Sequence, residues 1–301
     1  MKTIKGIIPP MITPLKGDDQ IDREGTVRLT EHILAGGVHA LFLLGTTGEA
    51  QSLSYECRYD FVELVCRQVA GRVPVLVGVT DTSLDESVKL AAHAAKCGAV
   101  AVVAAAPYYF APSQQELIEY YTALAALPLP LFLYNMPSHV KVFLEPATVK
   151  TLAEHPNIVG LKDSSANMTY FQTLLYHLGD REDFALYVGP EELTGESVVM
   201  GADGGVNGAN IFPELYVQMY YAACNRDVNT MRALQRKIMQ ISTSLYTVGK
   251  YGSSYLKGVK CSLSLMGICD DYMSYPYRRF RTEERARIRK ALETLGTACG
   301  E

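Results

Sequence analysis

Short, continuous apolar runs recur along the chain at positions 7–12, 40–44, 75–79, 99–105, 129–134, 158–161, 184–188 and 204–206. Apolar on consecutive residues rather than alternate ones, they fit strands buried on both faces, as a parallel sheet requires. Stretches with helical spacing lie between them, at 22–35, 54–69, 83–96 and 113–124. Several open on a Ser or Asp suited to capping, and Ser83-Leu84-Asp85-Glu86 and Ser113-Gln114-Gln115-Glu116 read as capping boxes. Eight strand–helix units at a mean spacing of roughly 28 residues predict a (β/α)8 TIM barrel. A doubly wound sheet would accept the same alternation, but it usually has fewer units and a glycine-rich first turn, which is missing.

Beyond the eighth run the pattern turns helical. A helix over 212–223 closes the last unit, and the rest predicts a C-terminal helical extension packed on the barrel. The expected organisation is a barrel carrying the active site over 1–223 and an extension over 224–301, with no low-complexity linker between them.

Composition narrows the function classes. With 28 basic and 32 acidic residues in 301, the chain has no global field for nucleic acid or anionic lipid. The basic stretch from Arg278 to Lys290 is interrupted by Glu283 and Glu284 and reads as a solvated helix face. No apolar run reaches membrane-spanning length, and the start, broken by Pro9-Pro10, lacks a signal-peptide core. The seven cysteines form no CxxC pair, and a cytoplasmic protein without structural disulfides is expected. The six histidines show no metal-ligand spacing, so no metal and no separate cofactor are expected.

In a barrel, chemistry sits where the strands end. Those ends carry Gly45-Thr46-Thr47-Gly48-Glu49, Pro107-Tyr108-Tyr109, Tyr134-Asn135, Gly160-Leu161-Lys162-Asp163 and Gly189-Pro190-Glu191. Read alone, Lys162 is more often a lysine that has left its strand and snorkels to water. Held in the barrel mouth, it is instead an amine able to attack a ketone and form a Schiff base. The Gly45–Glu49 turn offers hydroxyls and backbone N–H groups to a carboxylate, and lacks the Lys-Ser/Thr pair of a phosphate-binding loop. Tyr134 and Tyr109 are phenols able to relay a proton through a hydroxyl such as Thr46, or else rim packing.

Together these motifs resemble the dihydrodipicolinate synthase / N-acetylneuraminate lyase family of Schiff-base, class I aldolases. The resemblance runs from the first strand to about residue 215, carried by Gly45-Thr46-Thr47-Gly48-Glu49, Pro107-Tyr108-Tyr109, Leu133-Tyr134-Asn135-Met136-Pro137 and Gly160-Leu161-Lys162. It implies that Lys162 forms the imine, that Tyr134 is its acid and base, and that Thr46 links Tyr134 to Tyr109. It further implies that Thr47 binds the pyruvate carboxylate and that the Gly189 carbonyl faces the site. In many members the tyrosine matching Tyr109 enters a neighbouring subunit's site, implying a homodimer or homotetramer.

Two departures bear on the substrate. Synthases of the family follow the Tyr-Asn motif with Ser-Arg-x-Gly, the arginine gripping a substrate carboxylate. Here Ser138-His139-Val140-Lys141 stands there, with His139 at the arginine position and Lys141 at the glycine. After the lysine, Asp163-Ser164-Ser165 resembles aldolases of keto-deoxy sugar acids, and its hydroxyls suit a polyhydroxylated substrate. The expected reaction is reversible cleavage of a 4-hydroxy-2-oxo acid, such as a 2-keto-3-deoxy sugar acid, to pyruvate and an aldehyde. The alternative is the synthase reaction, which condenses pyruvate with aspartate semialdehyde. From another class comes a non-catalytic barrel that binds a 2-oxo acid, which would have no need of the lysine and both tyrosines.

Overall fold

The computed structural model describes residues 4–299. Its sheet has eight parallel strands: β1 (Gly6–Ile7), β2 (Leu41–Leu43), β3 (Val75–Gly78), β4 (Ala101–Ala105), β5 (Leu131–Asn135), β6 (Ile158–Asp163), β7 (Ala185–Val188) and β8 (Gly204–Gly205). Neighbours pair in sequence order from β2 to β8, and β8 pairs with β1 through Gly6↔Gly204. A parallel bridge, Pro10↔Phe42, joins β1 to β2 and closes the ring. The chain therefore folds as the (β/α)8 barrel that its apolar runs predict.

Each expected strand is present, but the first is shorter than its apolar run of 7–12. Ile8 N–H still donates to the Gly205 carbonyl at 2.9 Å, but Pro9 and Pro10 have no N–H to donate, so the ladder lapses there. The contact resumes where donors allow it: Phe42 N–H to the Pro9 carbonyl at 3.0 Å and Met11 N–H to the Phe42 carbonyl at 2.8 Å.

Around the sheet run α1 (Arg23–Ala35), α2 (Tyr55–Val69), α3 (Leu84–Lys96), α4 (Gln114–Ala125), α5 (Pro146–Ala153), α6 (Met168–Leu178), α7 (Thr194–Val199) and α8 (Pro213–Cys224). Asp22 and Ser54 cap α1 and α2 with side-chain oxygens. Ser113 and Glu116 form the expected capping box on α4, the Ser113 N–H donating to Glu116 at 2.7 Å and Glu116 N–H to Ser113 Oγ at 3.3 Å. The box expected at Ser83 does not form. Its backbone N–H is drawn instead to Asp81 Oδ1 at 3.0 Å, and Glu86 is taken by Lys89 at 2.6 Å. A nearby aspartate thus outcompetes the local cap.

The last three helices, α9 (Val228–Leu245), α10 (Ser254–Leu265) and α11 (Thr282–Thr294), follow the eighth unit. Leu234, Ile238, Ile241, Val259, Ile288 and Leu292 from these helices are buried and continue the barrel's core. Polar contacts also join the two parts. Arg28 Nε donates to the Ile268 carbonyl at 2.8 Å, and Gln235 to the Glu192 carbonyl at 2.8 Å. Among the described residues, no helix is long and apolar enough to cross a membrane.

Candidate active site

Register places the central pair. Tyr134 and Lys162 are Cα partners on β5 and β6, so their side chains leave the sheet on the same face. That face is the barrel interior, where the Lys162 ammonium lies 4.2 Å from the Tyr134 ring centroid and 5.2 Å from that of Phe42. Lys162 is buried and, among the described residues, pairs with no carboxylate; beneath it, Ile8, Leu76, Val103, Phe132 and Val206 make an apolar floor.

Above this pair opens a cavity of about 230 Å³, lined by Thr46, Gln51, Thr80, Tyr108, Tyr134, Met136, His139 and Tyr277 among others. A wider groove of about 490 Å³ between α1, α8 and α9, lined by His32, Pro213 and Lys237, receives none of the strand-end groups. The chemistry of the smaller cavity, not its size, marks it as the candidate site.

The Thr46 hydroxyl is 3.4 Å from the Tyr134 phenol. Burial pushes the Tyr134 phenol up, but the Lys162 charge and hydrogen bonds from Thr46, Ser164 and Lys162 together hold it below its ordinary value. Phenolate is therefore more accessible here than for a tyrosine in water.

Thr47 is buried, and its hydroxyl faces the Tyr255 phenol of α10. Gly189 is held by its N–H, which donates to the Asp163 carbonyl at 2.6 Å. A Cβ there would sit 2.0 Å from Ser164 Oγ, so only glycine lets Ser164 approach Tyr134. Behind them Asn135 Nδ2 donates to Asp163 Oδ1 at 2.8 Å, tying the ends of β5 and β6 together. Burial raises the Asp163 carboxyl, opposed by hydrogen bonds from Asn135 and Ser165.

Three motif side chains do not turn into the cavity within this chain. Tyr109 does not meet Thr46 within the chain: it is 71% exposed at the rim, edge-to-face with Phe110, which is 81% exposed. Its neighbour Tyr108 lines the cavity instead. Lys141 turns from the cavity to the Tyr109 carbonyl at 3.2 Å, and its φ of 61° is the left-handed region where glycine is at ease. The Ser165 hydroxyl is committed to Asp163 at 2.9 Å, leaving only Ser164 of that pair toward the site. His139 does line the cavity, and desolvation lowers its pKa, which favours the neutral ring.

Other site residues lie outside the motif assignments. Glu49, which closes the Gly45–Glu49 turn, is fully buried and ion-paired with Lys260 of α10. Its Oε2 also accepts from Ser274 N–H at 3.0 Å and Oγ at 2.7 Å. Glu191, after β7, is buried and accepts from the Tyr216 hydroxyl at 2.7 Å. Burial pushes its carboxyl up to about 8, against the hydrogen bond from Tyr216. Among the described residues, no group of three or more His, Cys, Asp or Glu side chains gathers as a metal site would. The described cysteines are all unpaired, and burial pushes the Cys57 thiol up to about 11.

The strand ends of a closed barrel thus bring a buried lysine against a phenol. The dihydrodipicolinate synthetase family matches residues 3–295, and the chain belongs to that family. It is 35% identical to the 4-hydroxy-tetrahydrodipicolinate synthase of Hyphomonas neptunium, over 97% of this chain and 98% of that one. It is 32% identical to the probable 2-dehydro-3-deoxy-D-pentonate aldolase YjhH of Escherichia coli K12, over 98% and 99%. Among solved structures, a dihydrodipicolinate synthase from Bacteroides thetaiotaomicron superposes with a TM-score of 0.95 at 58% identity, over 98% of this chain and 99% of that one. YagE of E. coli K12, of the same family and solved in complex with pyruvate, gives 0.91 at 29%, over 98% and 99%. The chain is an enzyme of this lyase family.

Proposed function

We propose that the protein is a Schiff-base aldolase that cleaves a 4-hydroxy-2-oxo acid to pyruvate and an aldehyde. One observation carries the reading: the Lys162 amine, buried without a carboxylate partner, lies against a phenol whose proton is unusually easy to remove. Lys162 Nζ gives a proton to the Tyr134 phenolate and, as a neutral amine, attacks the C2 carbonyl; Tyr134 then returns that proton to the carbinolamine hydroxyl, which leaves as water to give the iminium ion. Tyr134 phenolate then takes the C4 hydroxyl proton. The C3–C4 bond breaks, its electron pair enters the iminium ion to give an enamine, and the aldehyde leaves. Protonation at C3 and hydrolysis return pyruvate and the free amine. The iminium ion is the electron sink, so the mechanism needs no metal or separate cofactor.

Thr46 and Thr47 offer hydroxyls to the 2-oxo acid's carboxylate, and the pyruvate complex of YagE supports that half of the substrate. For the aldehyde half, no arginine or lysine among the described residues lines the cavity above Lys162, and His139 is held toward its neutral form. This favours a neutral, hydroxyl-bearing aldehyde over aspartate semialdehyde, whose carboxylate would want a cation. The synthase reaction remains the second reading, supported by the names of the Hyphomonas and Bacteroides relatives.

The exposed Tyr109 and Phe110 support a homo-oligomer in which Tyr109 reaches a second copy's Thr46. The test of the reaction is a substrate panel. Pyruvate should be released from 2-keto-3-deoxy acids faster than it is consumed with aspartate semialdehyde. The reverse order would establish the synthase.

A further inference from the structure

One wall of the cavity comes from outside the barrel. Tyr277 belongs to segment 270–281, between α10 and α11, yet it lines the same cavity as Tyr134, Gln51, Tyr108 and His139. The segment is tightly held. Tyr277 N–H donates to the Ser274 carbonyl at 3.0 Å, and Ser274 in turn gives both its N–H and its hydroxyl to Glu49. Lys260, ion-paired with that same Glu49, donates to the Tyr272 carbonyl at 2.7 Å. On the outer side, buried Asp271 takes Arg279 at 3.2 Å and also Arg285.

Glu49 is thus shared between two parts of the site. Its backbone N–H donates to the Thr46 carbonyl at 3.1 Å and shapes the turn that holds Thr46 and Thr47, while its carboxylate fixes the segment bearing Tyr277. The oxo-acid floor and the Tyr277 wall are therefore one braced unit. A substrate joined through C2 to Lys162, at the closed end, extends C4 and its tail toward the mouth where Tyr277 stands. This step rests on the imine reading above.

We propose that Tyr277 is a specificity-determining residue: its phenol borders the aldehyde subsite and selects for a tail bearing a hydroxyl group. A phenol both donates and accepts, matching a hydroxyl, whereas a purely apolar tail would leave the partly exposed phenol only water as a partner. Gln51 and Tyr108 give the subsite further neutral polar groups.

The test uses the full chain and two substrates, a 4-hydroxy-2-oxo acid with a further hydroxyl on its tail and the same acid without it. The parent should prefer the hydroxylated acid in kcat/KM. Tyr277→Phe, nearly isosteric, should lower that preference about three- to tenfold, the worth of one hydrogen bond. Ser274→Ala, which loosens the brace, should shift it the same way by less. Borohydride trapping of pyruvate at Lys162, run on each variant, keeps the two readings apart. An unchanged preference in Tyr277→Phe, or an equal loss on both substrates, with the Lys162 adduct intact, overturns the specificity role alone. No adduct at Lys162 in the parent overturns the imine reading and this inference with it.

Discussion

Two lysines are buried among the described residues, and they could hardly be placed more differently. Lys260 has a carboxylate in Glu49 and a carbonyl in Tyr272, so its charge is answered by oxygen on two sides. Lys162 has ring faces and one phenol. The first arrangement fixes an ammonium as a strut between barrel and extension. The second leaves an amine with a polar neighbour able to exchange protons and a cavity to work in. Burial alone does not make a lysine reactive; what surrounds it decides whether it braces the fold or does chemistry.

The contrast is broken most sharply by removing each amine. Lys162→Ala should lower kcat/KM by about four orders of magnitude or more, measured as pyruvate release, while the chain stays folded. Lys260→Met should act on stability instead. It leaves Glu49 buried and unpaired, a cost of about 3–5 kcal/mol visible as a lower urea midpoint. Adding Glu49→Gln to Lys260→Met should recover part of that loss. If Lys260→Met left stability intact, the strut assignment would fail.

Smaller effects sharpen the picture. Glu191 is another buried ionisable group, and burial raises its carboxyl to about 8. Its folded value exceeds its unfolded one near 4.5, so the native state binds the extra proton between those limits. Stability should therefore fall as pH rises from about 4.5 to 8, at up to about 1.4 kcal/mol per pH unit for this group, and level off above. Glu191→Gln should flatten that part of the urea-unfolding pH profile. A parallel slope in parent and variant would remove Glu191 as its source. The smallest expected change is in substrate choice. His139→Arg puts a permanent cation in the cavity and should raise the use of aspartate semialdehyde relative to hydroxylated aldehydes by about tenfold, read as a ratio of kcat/KM values.

The barrel was legible because a strand buried on both faces needs a continuous apolar run, and eight such runs stand in order. Where the reading slipped, a local chemical rule had been overridden: Pro9-Pro10 shortened β1, and Asp81 took the N–H that Ser83 needed for its cap. Lys162, Tyr134, Thr46 and Thr47 were legible as strand-end groups, and the barrel gathers them at one end. Which of Tyr108 and Tyr109 faces inward was not, because both lie past the end of β4, where period-two alternation no longer governs. Glu49 was visible as a motif letter only. Its partners Lys260 and Ser274 lie more than two hundred residues away on the extension, where nothing in the local pattern announces them. The extension looked like an appendage; in the structure it reaches the Gly45–Glu49 turn through Tyr255, Lys260 and Ser274 and lends the cavity Tyr277.

The difference between the two buried lysines can be read in one reaction. Incubating the protein with pyruvate, reducing with borohydride and mapping the modified peptide asks which amine forms the imine. The account predicts a reduced pyruvate adduct on Lys162, none on Lys260, and no adduct at all in Lys162→Ala. An adduct on any other lysine, or an unmodified Lys162 after exhaustive reduction with pyruvate present, would contradict it.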